Sequence, residues 1–398
     1  MKLVVDLRRA FDSGLGTYIR HVVPLTLARL PDVIAIGLIA TGDADRHRAY
    51  LGALDMKFLA LKFAPLSIAE QWPLRYRIPP DAVFWATTLS HALFKRQRLV
   101  ATVHDVAQLA LPSSAGFSPG VRAASRLYFS SLRRQSSLLL FNSQFTADEF
   151  DRLVGPPVGQ RCITPLGVDL AHWAAVPVLH TGTAGQKVSS RAFFLWIGNL
   201  RPHKNFPTLL HAFEKVADTL AHDLVVVGRA PAGTPADQFK KSLPAHVSAR
   251  VHMLGEVEDA VLRHLMHTAQ ALVVPSFYEG FGLPLLEGFA AQCLVLSSDA
   301  GALRETGGNG ALYFDPCDVD DLARGLLFVA RMSAAERQVQ IDLGLALARS
   351  SSWERTAALT AQALLEVFSP CKLAPQESPP STPANHRRPT EESTEDAH

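Results

Sequence analysis

Short apolar runs alternate with amphipathic stretches along the whole chain. The runs typical of strands are KLVVDL, DVIAIGLIA, AVFWA, LVATVHD, SSLLLFNS and RCITPLGV in the first half, and AFFLWIGN, DLVVVGR, RVHMLG, ALVVPS and CLVLSSD in the second. Helical patterns lie between them, among them YIRHVVPLTLARL, PGVRAASRLYFSSLRRQ, TADEFDRLVG, NFPTLLHAFEKVADTLA, EDAVLRHLMHTA and DVDDLARGLLFVARM. Strands that are apolar throughout and alternate with helices predict parallel sheets covered on both faces. We therefore expect an α/β fold of doubly wound sheets, with ligands beyond the carboxyl ends of the strands.

The length and the polar stretches predict where the chain divides. At 398 residues the chain is long for one core, which favours two domains. A segment rich in Gly, Ser and Thr at 178–191 marks the seam, and a new strand pattern begins after it. We expect a first domain at 1–180, a linker at 181–191, a second domain at 192–350 and a closing helix at 351–369. The stretch 370–398 is rich in Pro, Ser, Thr and Glu, which predicts a disordered tail.

Composition and charge narrow the class of protein. Apolar residues make up 48% and charged residues 19% of the chain, typical of a packed soluble protein. The first 180 residues hold 20 Lys and Arg against 13 Asp and Glu, so this half carries a charge of +7 within an overall +2. This excess suits an anionic partner such as a membrane surface, or it reflects scattered solvated arginines. A helix with Arg122, Arg126, Arg133 and Arg134 is the candidate membrane face.

Cysteine usage and hydropathy indicate the compartment. The four cysteines form no CxxC motif, which suits a reducing cytoplasm. No apolar run reaches the ~20 residues of a membrane span, so we expect any membrane contact to be peripheral. We expect no nucleic-acid partner.

Three strand ends in the second half have glycines and charged residues. GNLRPHKN (198–205) places Arg201 and Lys204 on a strand-to-helix turn, where free backbone amides and the helix dipole favour an anion. VVVGRAP (225–231) and LGEVED (254–259) repeat the arrangement of a strand followed by glycine. Such glycines allow a ligand to approach the backbone closely. The pattern therefore predicts a phosphate-binding cleft, although an exposed loop with two ordinary cations fits the first turn equally well.

The segment FYEGFGLPLLEGFAA (277–291) adds two carboxylates eight residues apart. Glu279 falls in a glycine-rich turn, and Pro284 suits the first turn of a helix, which places Glu287 inside that helix. Carboxylates bind paired hydroxyls well, so the two suit a sugar and a ribose. Taken alone, the pair is also compatible with a helix-dipole carboxylate and a solvated loop residue. SSDAGALRETGG (297–308) provides another strand-end turn before a helix.

Taken together, these segments resemble the retaining glycosyltransferases of family 4, which have the GT-B fold. The order of GNLRPHKN, VVVGRAP, LGEVED and the two glutamates matches that family, including its E-x7-E motif. In the first half, DSGLGTYIRHVV (12–23), TVHDV (102–106), FNSQFTADEF (141–150) and PLGVDL (165–170) resemble further segments of the family. The resemblance covers about 350 residues and implies two Rossmann-like domains that face a central cleft.

The resemblance also implies roles for individual residues. Glu279 would contact the transferred sugar, Glu287 the ribose of a nucleotide-sugar, and His104 the sugar from the facing domain. Lys204, with Arg201, would neutralise the departing diphosphate. The residues that would line the donor site through their backbone or side chains are Gly198, Arg229, Val257, Gly280, Phe281, Gly282 and Leu283. Backbone at 300–302 would also hold phosphate, and the base would lie against 229–231 and 255–257. Gly14 and Gly16 would let the N-terminal loop approach the reacting centre.

This chain departs from the family's pattern at two positions. Asn199 stands where many members have arginine, so we expect Arg201 to supply that charge, and Leu166 replaces the usual asparagine before Gly167. The family implies transfer with retention, in which the leaving phosphate helps to deprotonate the acceptor. No cofactor and no metal are expected. The triplets Asp43-Ala44-Asp45 and Asp318-Val319-Asp320 spell D-x-D, a metal–nucleotide motif elsewhere, but lie away from the other motifs.

The expected donor and acceptor rest only on the general similarity of two sequence segments. The opening D-x-R-R and the GNLRPHKN segment are similar to bacterial mannosyltransferases of surface polysaccharide synthesis, such as lipopolysaccharide. This similarity implies GDP-mannose as donor and a glycan or polyprenyl-linked saccharide as acceptor. UDP-glucose or another UDP-sugar is the alternative donor. The same fold would also suit a nucleotide-sugar epimerase or a catalytically weak homologue that binds nucleotide.

Overall fold

The structure, a computed structural model, describes residues 1–12, 14–52, 54, 56–94, 97–112, 117–177, 191–229 and 236–368. The predicted linker at 181–191, apart from Arg191, and the predicted tail from 370 lie outside the described residues. The domain boundary therefore stays a prediction.

The first half forms a sheet of seven parallel strands in the order β3-β2-β1-β4-β5-β6-β7. The strands are β1 Lys2–Asp6, β2 Ile34–Ala40, β3 Lys57–Leu61, β4 Val83–Ala86, β5 Arg98–Val103, β6 Ser136–Phe141 and β7 Gln160–Ile163. Val4 of β1 lies opposite Ile36 on one side and Phe84 on the other. The helices of this half are α1 Gly14–Leu27, α2 Ala44–Leu51, α3 Gln71–Tyr76, α4 Ala107–Ala110, α5 Pro119–Gln135, α6 Gln144–Leu153 and α7 Leu170–Ala174.

The second half forms a sheet of six parallel strands in the order β10-β9-β8-β11-β12-β13. Its strands are β8 Phe193–Ile197, β9 Asp223–Val227, β10 Val251–Gly255, β11 Ala271–Val274, β12 Val295–Ser298 and β13 Ala311–Phe314. The helices are α8 Phe206–Val216, α9 Ala245–Ser248, α10 Asp259–Thr268, α11 Leu283–Ala290, α12 Leu303–Gly307, α13 Val319–Arg331, α14 Ala334–Ser350 and α15 Trp353–Phe368.

Both sheets have the same winding. In each, the first strand lies inside the sheet, the next two extend to one side and the later ones to the other. The central strands are buried on both faces, as the continuous apolar runs predict. The predicted α/β fold with two Rossmann-like, doubly wound sheets is confirmed. In such sheets the ligand site lies at the carboxyl edge, where the strand order reverses.

The last helix returns from the second half to the first. Val168 donates its amide to the carbonyl of Ser351 at 3.0 Å, and the hydroxyl of Thr356 donates to the carbonyl of Pro165 at 2.6 Å. The ring of Trp353 is buried and stacks on His21 of α1. Helix α15 is thus a part of the layer that covers the first sheet.

Several elements are absent from the sequence prediction, among them α2, β3, β13 and α14. β3 and β13 are edge strands of five and four residues. Helix α14 buries only Gly344 and Ala348, so its sequence has no apolar stripe. Both D-x-D triplets lie at helix N-termini: Asp43 precedes α2, and the Asp318 carboxylate accepts the amides of Asp320 and Asp321. Within the described part of the chain, no helix combines the length and apolar character needed to cross a bilayer.

Candidate active site

Lys204 and Glu279 form an ion pair at the carboxyl edge of the second sheet. The Nζ of Lys204 donates to Oε1 of Glu279 at 2.6 Å, and the hydroxyl of Ser276 donates to the same oxygen at 2.7 Å. Both charged side chains are mostly buried. Burial alone would raise the pKa of Glu279, but Lys204 and the hydrogen bond from Ser276 outweigh it and lower this pKa. The site therefore holds a carboxylate and an adjacent cation.

The turn that carries Lys204 is fixed by a buried asparagine. Asn205 adopts a left-handed conformation (φ 54°, ψ 33°) at the start of α8, which asparagine tolerates better than most residues. Its amide nitrogen donates to the carbonyl of Pro316 at 2.9 Å, and its oxygen accepts from the hydroxyl of Thr208 at 2.6 Å. The amide of Phe277 donates to the carbonyl of His203 at 2.8 Å, which joins this turn to the glutamate loop.

Gly280 brings the glutamate loop into contact with the first half of the chain. A Cβ at this position would lie 2.1 Å from the carbonyl oxygen of His104, so only glycine permits this approach. The hydroxyls of Ser143 and Thr146 both donate to the carbonyl of Gly280, at 2.6 and 2.8 Å. The two halves therefore meet at the backbone of the predicted site.

A carboxylate strengthens this contact. Glu305 of α12 accepts the backbone amides of Gln144 and Phe145, at 2.8 and 2.9 Å. These are the first amides of α6, which have no partner inside their own helix. Sequence reasoning missed Glu305, and it found Ser143 and Thr146 only as part of a resembling segment.

His104 follows strand β5 and faces the second half. Its Nε2 lies 2.9 Å from the carbonyl of Thr87, which can only accept, so Nε2 carries the proton and Nδ1 is the acceptor. Burial lowers the pKa of His104 to about 4, although the hydrogen bond to Thr87 opposes this shift. The imidazole is therefore neutral at neutral pH, and its orientation is fixed by Thr87 and by the edge of Tyr18.

A cavity of about 210 Å³ lies between the two halves at this point. The predicted site residues that line this cavity are Arg201, Lys204, Glu279 and Gly280. The other lining residues are Asp105, Ala107, Gln108, Phe117, Asn199, His203 and Tyr278. Arg201 and Asn199 thus lie beside the same cavity as Lys204, and the role of Arg201 as the shifted cation stays a prediction.

Two further titratable groups of the cavity were not predicted. Burial raises the pKa of Asp105, whose Oδ1 accepts the amide of Ala107 at 2.9 Å, and the Glu279 carboxylate raises it further. Burial and the neighbouring Lys204 lower the pKa of His203. These shifts favour the neutral forms of both side chains beside the Lys204–Glu279 pair.

Glu287 lies apart from this cavity, on the fifth position of α11. It is half-buried, and burial raises its pKa to about 7, with a smaller contribution from the Asp259 carboxylate. Asp259 begins α10, just after β10, and accepts from Nε2 of His172 at 3.0 Å and Nε of Arg263 at 2.9 Å. Glu287 therefore faces the carboxyl end of β10, where the base and ribose of a donor are expected.

The remaining predicted donor residues lie around these strand ends. Arg229 is exposed and pairs with Glu256 at 2.7 Å. Val257, the residue after Glu256, is partly buried and packs against the core. The predicted range 229–231 lies outside the described residues beyond Arg229. Phe281 is buried and its carbonyl accepts from Thr306, while Gly282 (φ 104°) and Leu283 begin α11.

The predicted glycines are used in different ways. Gly14 begins α1 with open space around it. A Cβ on Gly16 would lie 2.5 Å from the carbonyl oxygen of Ala10, so this glycine serves packing within its own loop. The amide of Gly198 donates to the carbonyl of Val227 at 3.0 Å, which ties the ends of β8 and β9 together.

Comparison with known proteins agrees with this fold. Residues 184–341 match the family model described as Glycosyl transferases group 1. The chain is 28% identical to an O-antigen chain mannosyltransferase B of Escherichia coli over 277 residues, which is 67% of this chain and 70% of that protein. It is 29% identical to a glycogen synthase of Mycobacterium tuberculosis over 59% of this chain and 55% of that one. A third relative, the O-antigen chain mannosyltransferase RfbU of Salmonella typhimurium, is 35% identical over 33% of this chain and 37% of that one.

Solved structures share the fold. The sucrose-phosphate synthase of Thermosynechococcus elongatus superposes with a TM-score of 0.69 at 16% identity, over 92% of this chain and 99% of that one. Anabaena Alr3699/HepE, solved with UDP, superposes with a TM-score of 0.68 at 17% identity, over 92% of this chain and 99% of that one.

The class follows from these findings together. Residues 184–341, less than half of the chain, match the model of glycosyl transferases group 1, and the ion pair and the cavity lie at the carboxyl edge of the second sheet. Two of these three relatives are mannosyltransferases and one is a glycogen synthase. Glycosyltransferase is therefore the supported class.

Proposed function

We propose that the protein is a retaining glycosyltransferase of family 4 with the GT-B fold, which moves mannose from GDP-mannose to a growing glycan or a polyprenyl-linked saccharide. The observation that carries the proposal is the Lys204–Glu279 pair beside a cavity between two Rossmann-like halves. Similarity to O-antigen mannosyltransferases supports mannose. We place this activity in the cytoplasm, with peripheral contact at the inner face of the plasma membrane.

In this proposal the two charged residues have separate tasks. Glu279, held ionised by Lys204 and Ser276, accepts hydrogen bonds from hydroxyls of the transferred sugar. Lys204, with Arg201 at the same cavity, neutralises the diphosphate as it leaves. The backbone amides of Phe281, Gly282 and Leu283 lie at the N-terminus of α11 and just before it, and they add to the binding of phosphate.

The remaining residues position the donor from both sides. The Nδ1 of His104 accepts from a sugar hydroxyl, since the Nε2 proton is engaged by Thr87. Glu287 accepts from the ribose hydroxyls, and the base lies against Arg229 and Val257. Because His104 and Gly280 are in backbone contact, the sugar is enclosed between the two halves of the chain.

The chemical step needs no protein nucleophile. The bond between the anomeric carbon and the diphosphate oxygen breaks, and the electron pair remains with the phosphate. The acceptor oxygen forms its bond on the same face, and its proton passes to the leaving phosphate oxygen. Lys204 and Arg201 supply positive charge where negative charge develops, so the proposal requires no metal ion.

A transfer assay with labelled nucleotide-sugars tests the proposal. Glu279→Ala and Lys204→Ala should each lower kcat/KM by roughly a hundredfold or more. A matched control is the exposed Lys215–Asp320 pair of the same half, whose substitution by alanine should leave turnover unchanged. Full turnover in both site variants contradicts the assignment of the site.

A UDP-glucose donor is the second candidate. Similarity to a glycogen synthase favours it, because glycogen is a polymer of glucose. Thermal shift or calorimetry across GDP-, UDP- and ADP-sugars separates the donors, and preferential stabilisation by a UDP-sugar excludes the GDP-mannose proposal. Binding of a nucleotide-sugar without transfer would instead indicate a homologue that binds nucleotide only.

A further inference from the structure

Six large apolar side chains are exposed together on the first half of the chain. We call them the Trp72 face; they are Phe63, Leu66, Ile68, Trp72, Tyr76 and Phe94. Ile68 is 93% exposed, Phe94 77% and Trp72 71%. Single exposed apolar residues are ordinary, whereas a contiguous group of them marks an interaction surface.

Three members of the Trp72 face, Trp72, Tyr76 and Phe94, are neighbours in space. The rings of Trp72 and Tyr76 are 4.2 Å apart between centroids. The Arg75 guanidinium donates to the carbonyl of Phe94 and lies 5.5 Å from the Tyr76 ring centroid. The amide of Leu93 donates to the side chain of Gln71 at 2.8 Å, so the loop between β4 and β5 is fixed against α3.

A buried ionic network holds this face in its exposed position. Glu70 is fully buried and accepts from Arg8 at 2.6 Å, from Ser90 at 2.9 Å and from the amide of Leu66 at 2.5 Å. Leu66 has a φ of 66°, which is costly for a residue with a branched side chain. The network therefore maintains a strained backbone that presents apolar side chains to solvent, and such strain is found where it serves function.

The charges around the face have one sign. Between Lys62 and Arg77 the sequence holds three basic residues and a single acidic one, Glu70. Glu70 is buried and paired with Arg8, whereas Lys62 and Arg77 are exposed. A symmetric contact between two copies would bring these like charges together, which disfavours self-association through this face.

The combination of residues suits an anionic lipid surface. Trp and Tyr have an apolar ring and a polar group, and they favour the boundary between lipid and water. Lys and Arg near that boundary bind anionic headgroups. Helix α5, the candidate from the sequence, is less suited because only two of its large apolar side chains, Val121 and Leu127, are exposed beside its arginines.

We propose that the Trp72 face binds the headgroup region of an anionic lipid bilayer. Ile68, Trp72 and Phe94 enter the interface, and Lys62 and Arg77 bind the acidic lipids. The face is anchored through Glu70 to Arg8, directly after β1, so it lies at the carboxyl edge of the first sheet, on the side of the cleft. The inference gives a surface to the membrane contact in the proposed function on which it rests, and vesicle binding tests it separately from sugar transfer.

Vesicle binding by the full chain tests the inference, with phosphatidylcholine vesicles that contain about 30 mol% phosphatidylglycerol and with phosphatidylcholine alone. We expect binding to the anionic vesicles and a blue shift of tryptophan emission. Trp72 is the reporter, because Trp85, Trp173, Trp196 and Trp353 are buried. Trp72→Phe should abolish the blue shift and retain binding.

Variants of the face test its role directly. Ile68→Ser with Trp72→Ser should weaken binding to anionic vesicles on the order of tenfold or more. Phe328→Ser with Val339→Ser, two exposed apolar residues of the second half, should leave binding unchanged. Lys62→Gln with Arg77→Gln should reduce the preference for anionic vesicles, and melting curves should show that all variants are folded.

Three results overturn the inference. The first is wild-type protein that does not prefer anionic vesicles. The second is a double serine variant of Ile68 and Trp72 that binds as tightly as the wild type. The third is sedimentation analysis that shows a wild-type dimer, a monomeric serine variant and no vesicle binding, which would assign the face to a second copy of the chain.

Discussion

Gly280 of the second half lies against the carbonyl oxygen of His104 in the first half, with room for a hydrogen atom only. A Cβ on Gly280 would lie 2.1 Å from that oxygen and 2.8 Å from the Cβ of Asp105. Gly280→Ala should therefore force the two halves apart and lower kcat/KM by about a hundredfold. Steady-state kinetics measure the loss, and small-angle scattering measures the separation. Gly120→Ala is the control, since its nearest neighbour would be 4.0 Å away; equal activity in the two variants contradicts the prediction.

The Lys204–Glu279 pair should make stability depend on pH in the acid range. The pKa of Glu279 is lowered in the folded protein, so the pair's contribution is present above the unfolded pKa of about 4.3 and is lost as pH falls through the folded pKa. Glu279→Gln should cost about 2 kcal/mol at pH 7, because Lys204 then lacks its partner. Urea unfolding at pH 7 and pH 3 measures both effects. A variant whose deficit is the same at both pH values contradicts the prediction.

Glu287 should make the stability of the protein depend on pH in the opposite sense. Its folded pKa of about 7 lies above the unfolded value of about 4.3, so between these values the folded state holds a proton that the unfolded state has released. Stability should therefore fall as pH rises from about 4 to about 7. Glu287→Gln should remove this fall and stabilise the protein at pH 7.5 on the order of 2 kcal/mol relative to wild type. Urea unfolding at pH 5 and 7.5 tests it, with the exposed Glu258→Gln as the control.

Glu305 should control how firmly the two halves are closed. Its carboxylate accepts the first amides of α6, and charged acceptors at such positions contribute about 1 kcal/mol. Glu305→Gln should weaken donor binding roughly fivefold, since the enclosed state is less populated. Calorimetry with the nucleotide-sugar measures the change. Glu336→Gln is the control, because Glu336 caps α14 within its own half; equal effects in both variants would show that closure is not involved.

The buried strands were predictable because their residues are apolar on both faces. β1, β5, β6, β8, β9, β11 and β12 coincide with continuous apolar runs. β3 and β13 were missed because each is a short edge strand, with exposed residues in β3 and half-buried ones in β13. Helix α14 was missed because its apolar residues form no stripe at helical spacing: its buried residues are the small Gly344 and Ala348, and Leu347 packs partly buried against the core.

The site was predictable only in part, because some of its contacts are made to backbone groups. Lys204 and Glu279 stand out because charged residues beside glycines at strand ends are uncommon, and the structure pairs them at 2.6 Å. Ser143, Thr146 and Glu305 act on backbone groups more than 130 residues away along the chain. A hydrogen bond to a backbone amide or carbonyl leaves no mark on the sequence of its partner, so such contacts are visible only in three dimensions.

The return of α15 to the first sheet means that the polypeptide passes between the halves twice, once between β7 and β8 and again between α14 and α15. Two connections therefore join the halves. Opening of the cleft is a rotation about both of them, which restricts twisting while still allowing the halves to separate. During synthesis, the layer over the first sheet is incomplete until residues 353–368 have been made. Expression of the first half alone would leave the apolar surface of α1 uncovered where Trp353 now packs.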